Sequence, residues 1–171
     1  MTSADPDTPD LWQRAVDRLW EHEDPEHVVD RMRILAARFP GTDGSAHFEL
    51  GGALDSAGHE EEAAEQYALA LAAGLDDERR ARLTIQFAST LRNLGRTEEA
   101  VVLLESAPPH PAIGPAREFF LALALHSAGR PDDALRTALE ALVPTLPRYQ
   151  RSAAAYAAEL TPGAPSSSAQ A

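Results

Sequence analysis

The sequence predicts an all-α chain built as a stack of helical hairpins, and three observations predict it. Residues 83–100, LTIQFASTLRNLGRTEEA, combine an amphipathic helix, a glycine stop and an acidic helix start that leads to a small alanine; the same order recurs as FELGGALDSAGHEEEA at 48–63 and FFLALALHSAGRPDDA at 119–134. The turn glycines Gly58, Gly95 and Gly129 are 37 and 34 residues apart, which sets a period of 34. Within each copy the apolar residues follow the helical period, so each helix has one face to bury.

Taken in order, residues 1–8 have the composition of a disordered lead-in. A helix is expected from Pro9 or Asp10, with Leu11, Trp12, Ala15, Val16, Leu19 and Trp20 as its apolar positions. Asp24 is the expected N-cap of a second helix, with Pro25 at its first position and Pro40-Gly41 as its stop. Residues 9–42 thus make a divergent first unit in which Glu23 stands where the turn glycine belongs.

The explicit units follow at 44–75, 77–112 and 115–146. Each turn reads glycine, cap, two acids, alanine. Glycine suits the left-handed residue that ends a helix, and acids suit the positive N-terminus of the next. The three additional residues of the longer spacing lie in LDDERRAR, where they add about one helical turn and keep the buried face in register. Pro108, Pro109 and Pro111 interrupt the chain before the third unit, and Pro144 and Pro147 close it. Residues 148–160 are expected to form a capping helix with Tyr149, Tyr156 and Leu160 on one stripe, and 161–171 a disordered Pro/Ser/Ala tail.

Helix-turn-helix units of 34 residues with this pattern resemble tetratricopeptide repeats. The unit at 44–75 carries the signature as His47-x2-Leu50-Gly51-x2-Leu54, Gly58, Ala63-x3-Tyr67 and Ala70. The next two repeat it through Thr84, Phe87, Ala88, Leu91, Gly95, Ala100 and Leu104, and through Glu118, Leu121, Ala122, Leu125, Gly129 and Ala134. The middle portion is also similar to a small bacterial subfamily of such proteins with no defined activity. The resemblance implies a right-handed superhelical stack of three to four hairpins plus the C-terminal capping helix, in one domain over 9–160.

Composition narrows the chemistry. The chain has 171 residues, no cysteine and a net charge of −12. That excludes a disulfide framework, a thiolate nucleophile and thiolate metal ligands, favours a reducing cytoplasm, and argues against nucleic-acid partners. No stretch approaches the roughly 18 to 20 apolar residues of a membrane span. His22 and His27 straddle Asp24-Pro25, and His59 lacks the second histidine of a zinc motif, so no metal and no cofactor is expected. Ser89 and His126 lack an orienting acid, so no enzyme activity is expected.

Binding remains. The resemblance implies a non-enzymatic protein- or peptide-binding scaffold whose concave groove is lined by the first helix of each repeat. In this register the groove residues are Phe48, Asp55, Arg82, Ile85, Ser89, Arg92, Asn93, Phe119 and His126, joined by Asp10, Gln13, Asp17 and Trp20 from the first unit. Residues 79–96 hold five arginines and no carboxylate, and one arc of that helix presents Arg79, Arg82, Arg92 and Arg96. An acidic partner segment is therefore the expected occupant, since guanidinium pairs bidentately with carboxylate. The alternative is a homo-oligomeric self-assembly module, pairing copies through the Trp12 and Trp20 end or the Tyr149 and Tyr156 face.

Overall fold

The structure is a computed structural model that describes residues 8–21, 24–39 and 43–161. Most of the expected lead-in and tail, the Pro40-Gly41 stop, His22, Glu23 and the Asp10 side chain lie outside the described residues.

The described residues form helices α1 (Thr8–Trp20), α2 (Pro25–Arg38), α3 (Ser45–Ser56), α4 (Glu60–Ala73), α5 (Asp77–Asn93), α6 (Thr97–Ser106), α7 (Ala116–Ser127), α8 (Pro131–Leu142) and α9 (Gln150–Ala158). A 3₁₀ turn, Val143–Thr145, joins the last two. Successive helices pack as hairpins, each hairpin lies against the next, and α9 closes on α8. The stack follows chain order because no single pair can bury its own apolar stripe.

The three glycine turns have one geometry. Gly58, Gly95 and Gly129 take φ values of 81°, 76° and 77°. The following amide reaches back five residues in each, from His59 to the Leu54 carbonyl at 2.9 Å, Arg96 to Leu91 at 2.8 Å and Arg130 to Leu125 at 2.9 Å. This pattern satisfies the last carbonyls of the helix and needs a left-handed residue, which explains the glycine. The cap residues His59, Arg96 and Arg130 contribute no side-chain cap bond. Arg96 and Arg130 instead pair with Glu99 and Asp133 at 2.7 and 2.8 Å, so an acid of the following helix holds these two turns electrostatically, whereas His59 meets Glu26 of α2.

Helix α5 has 17 residues against 12 in α3 and in α7. Its extension is capped by Asp76, whose carboxylate accepts the Arg79 backbone N–H at 2.8 Å and the Arg79 guanidinium at 2.6 Å. That backbone bond, with help from the guanidinium, lowers the Asp76 pKa. Asp24 caps α2 in the same manner through the Glu26 amide at 3.1 Å.

Two hydrophobic clusters meet at α5. The first gathers Trp12, Val16, Met32, Leu54, Tyr67 and Leu83, and the second Ala88, Leu91, Ala100, Leu104 and Leu125, with Phe87 packed against both. Small residues set the helix spacing: Ala63 and Ala100 are fully buried, and a Cβ on Gly51 would stand 2.7 Å from the Tyr67 ring. The C-terminal end is less enclosed, with Ala134 the buried residue of α8 while Leu135, Leu139, Leu142, Tyr149 and Tyr156 are exposed.

Candidate functional site

The first helices of the first three hairpins, α1, α3 and α5, bound an open cleft of about 420 Å³. Helical spacing places one stripe of each along it: Gln13, Val16, Asp17 and Trp20 from α1, Phe48, Glu49, Gly52, Asp55 and Ser56 from α3, and Arg82 and Gln86 from α5, with Tyr67 of α4 beneath. Gly52 keeps the middle open, since a Cβ there would already meet the Trp20 ring at 3.4 Å and Gln86 Oε1 at 3.9 Å.

The walls are tied by polar contacts between helices. Trp20 Nε1 donates to Glu49 Oε2 at 3.1 Å, joining α1 to α3. The Arg79 guanidinium donates to Gln13 Oε1 at 3.0 Å, joining α5 to α1. Tyr67 donates its hydroxyl to Gln86 Oε1 at 3.3 Å. Thr90, fully buried, donates to Asp55 Oδ1 at 2.8 Å and lies 3.0 Å from the Gln86 carbonyl oxygen.

The floor carries negative charge in a partly dehydrated setting. Burial raises the Glu49 pKa; the Trp20 hydrogen bond and the guanidiniums of Arg79 and Arg82 oppose the rise, and Asp17 adds to it. Burial also raises Asp55, with the Thr90 hydroxyl opposing and Glu60 reinforcing. The Tyr67 phenol is pushed up by burial and then by the charges of Asp55 and Glu49, so it stays neutral and acts as a donor. The cleft is therefore bipolar, with the cation of Arg82 at one wall and the carboxylates of Asp17, Glu49 and Asp55 around the middle.

Of the expected groove residues, Phe48, Asp55 and Arg82 line this cleft, as do Gln13, Asp17 and Trp20 of the first unit. Ile85 is buried and lines a separate cavity of about 480 Å³ between α5, α6 and the proline loop, because its side chain leaves α5 on the side turned to the next hairpin. Ser89, Arg92 and Asn93 lie further along α5, outside the cleft lining. Asn93 donates to Glu60 at 3.1 Å and Arg92 to Asn93 at 3.3 Å, while Arg92 Nε is buried without a partner. Phe119 is exposed on α7 with its ring edge-on to Phe120, and His126 is exposed in the last turn of that helix. Among the described residues no hydrogen bond links Ser89 to His126.

The arginine arc of α5 is largely engaged by local acids. Arg82 pairs with Glu78 at 2.6 Å, Arg79 with Asp76 at 2.6 Å and Arg96 with Glu99 at 2.7 Å. Glu78, Asp76 and Glu99 stand just outside the carboxylate-free stretch, which is why the stretch read as an unpaired cationic face. Glu49, Ser56 and Tyr67 were not expected in the groove. The signal for two of them was present, since positions 49 and 56 satisfy the helical spacing from 45 and 52 as well as 48 and 55 do. Among the described residues no group of three His, Asp or Glu side chains converges to hold a metal, and no helix is long and apolar enough to cross a membrane.

A family profile described as tetratrico peptide repeat matches residues 44–160. The fold is similar to the crystal structure of a MamA protein, at 16% identity and a TM-score of 0.64, over 81% of this chain and 74% of that one. It is also similar to MamA, residues 41 to the end, from Desulfovibrio magneticus RS-1, at 16% identity and a TM-score of 0.63, over 88% and 89% of the two chains. No curated protein matches the sequence.

Proposed function

The chain belongs to the tetratricopeptide repeat family, an all-α, right-handed superhelical stack of hairpins, and from that premise we propose that it is a non-enzymatic, cytoplasmic scaffold that holds a segment of a partner protein. The observation that carries the reading is the cleft of α1, α3 and α5, with aromatic walls from Trp20 and Phe48, hydrogen-bonding groups on three helices, and Gly52 in place of a bulky side chain. Concavity, apolar surface and a few convergent polar groups are what a recognition site requires. The expected acidic segment has Arg82 as its anchor in the cleft, with the guanidinium exchanging Glu78 for a ligand carboxylate. The absence of cysteine supports the cytoplasmic part of the reading.

Gly52→Leu tests it. The leucine side chain would project from the helix into the cleft, past the Trp20 ring, leaving the buried clusters untouched. Partners retained by the immobilised wild-type chain and identified by mass spectrometry should be lost with Gly52→Leu and weakened with Arg82→Ala, while circular dichroism stays unchanged. Retention of the same partners by folded Gly52→Leu would overturn the reading.

The exposed Leu142, Tyr149 and Tyr156 favour a second reading, self-assembly through the C-terminal end as a homodimer or larger oligomer. Light scattering over a concentration series decides it, since a mass that stays at that of one chain, 18.4 kDa, rules the second reading out.

A further inference from the structure

The chain has 15 arginines and 27 acidic residues, and Arg33, Arg79, Arg82, Arg96, Arg117, Arg130 and Arg136 each meet a carboxylate. In α5 to α8 the pairings include Arg82 with Glu78, Arg117 with Glu118, Arg130 with Asp133 and Arg136 with Glu140. The outer side of the first hairpin gathers three arginines that do not. A groove of about 520 Å³ runs between α1 and α2 and carries Arg18, Arg31 and Arg38. Among the described residues none of the three meets a carboxylate. Arg18 donates Nε to the Arg14 carbonyl at 3.1 Å, and Arg31 and Arg38 make no hydrogen bond or ion pair.

The groove has an apolar floor. Leu19 and Leu35 are half-buried against the first core cluster, and Ile34 is 51% exposed at the rim. On α2 the spacing of Arg31, Ile34, Leu35 and Arg38 is i, i+3, i+4, i+7, one complete helical stripe, and on α1 Ala15, Arg18 and Leu19 supply the facing stripe. Arg33 leaves α2 on another side and reaches Glu62 of α4 at 2.8 Å. Among the described residues this groove is lined by α1 and α2 alone, on the side that a preceding hairpin covers in an interior repeat.

We infer that this end groove, distinct from the concave cleft, receives an acidic amphipathic helix of a partner protein, its Leu or Ile side chains on Leu19, Ile34 and Leu35 and its carboxylates on Arg18, Arg31 and Arg38. The two stripes match the spacing at which a helix presents its own side chains, so the occupant that fits both is a helix laid along the groove. The charge selects the acidic one: the rest of the molecule is strongly anionic, yet here three guanidiniums stand beside apolar surface that excludes water once covered, where pairing with carboxylate is strongest. The concave cleft offers an acidic ligand the single anchor of Arg82, whereas this groove offers three guanidiniums.

The probe is a fluorescein-labelled helical peptide of the length of α2, 14 residues, with leucine and glutamate at i, i+3, i+4, i+7 spacing. Its control has every glutamate replaced by glutamine. Anisotropy titrations of the full chain should show the glutamate peptide bound at least roughly tenfold more tightly than the control, and this advantage should shrink on raising salt. Arg31→Glu with Arg38→Glu should remove the advantage, and Ile34→Ser should weaken both peptides. Arg82→Ala should leave both titrations unchanged, which separates this groove from the cleft. Equal binding of the two peptides, or an advantage that survives Arg31→Glu with Arg38→Glu, would overturn the inference. So would three other results: a large gain in affinity on deleting residues 1–7, which would make this chain's own acidic segment the occupant; concentration-dependent association abolished by Arg31→Glu with Arg38→Glu, which would make it a second copy; or flotation with phosphatidylserine vesicles lost in that variant, which would make it a membrane.

Discussion

Glu49 carries much of the cleft's electrostatic character, and its position beside Phe48 shows how far a sequence can be read. Helical spacing put Phe48 and Asp55 in the groove, and both line it, yet the same spacing serves Glu49 and Ser56 equally. Which neighbour points inward depends on the rotation of α3, which is set by Tyr67 filling the space that Gly51 leaves. Ile85 went to another cavity for the same kind of reason. The raised Glu49 pKa makes a pH prediction. Burial lifts it above the ordinary 4.5, so the folded chain holds this proton more tightly than the unfolded chain does. The favourable contribution is complete below the unfolded pKa and is lost as pH rises through the folded one. Glu49→Gln keeps an oxygen to accept from Trp20 Nε1 and removes the buried charge. It should therefore raise the thermal midpoint near pH ~7 and leave it nearly unchanged near pH ~4, a comparison that paired melting curves at the two values make.

At the scale of elements, the glycine-turn motif was fully legible because one local rule produces it three times. The left-handed φ of Gly95 and the return bond from Arg96 to Leu91 are what the glycine, cap, two-acid order encodes. A Cβ on Gly95 would meet nothing within 4 Å, so Gly95→Ala isolates the backbone cost of a left-handed alanine from any steric effect. The expected loss is about 1 to 2 kcal/mol, measured by urea unfolding with an unchanged slope. A loss near zero would mean that the turn relaxes to another conformation. The arginine arc of α5 was less legible. Its partners Asp76, Glu78 and Glu99 sit within four residues in sequence but fall outside the stretch whose charge was counted. Ion-pair geometry along a helix reaches three or four positions beyond any such boundary.

For the whole molecule, the stack of hairpins followed from periodicity alone, whereas the distribution of function over it did not. The cleft arises only where α1, α3 and α5 come together, and its closing contacts, Arg79 to Gln13 and Trp20 to Glu49, span 66 and 29 residues. No local pattern announces pairs so distant in sequence. The two ends differ for an equally global reason, since among the described residues each end hairpin packs against another hairpin on one side. One end exposes arginines that meet no carboxylate among the described residues, over an apolar floor, and the other exposes leucines and tyrosines. In the proposed function the concave cleft is the surface a partner segment occupies. Photo-crosslinking from a benzophenone amino acid at Ser56, in the cleft, and at Leu69, exposed on α4, tests it most directly in cells of the native host. A discrete adduct is expected from Ser56, absent from Leu69 and abolished by Gly52→Leu. Equal adducts from both positions, or a Ser56 adduct that persists with Gly52→Leu, would contradict it.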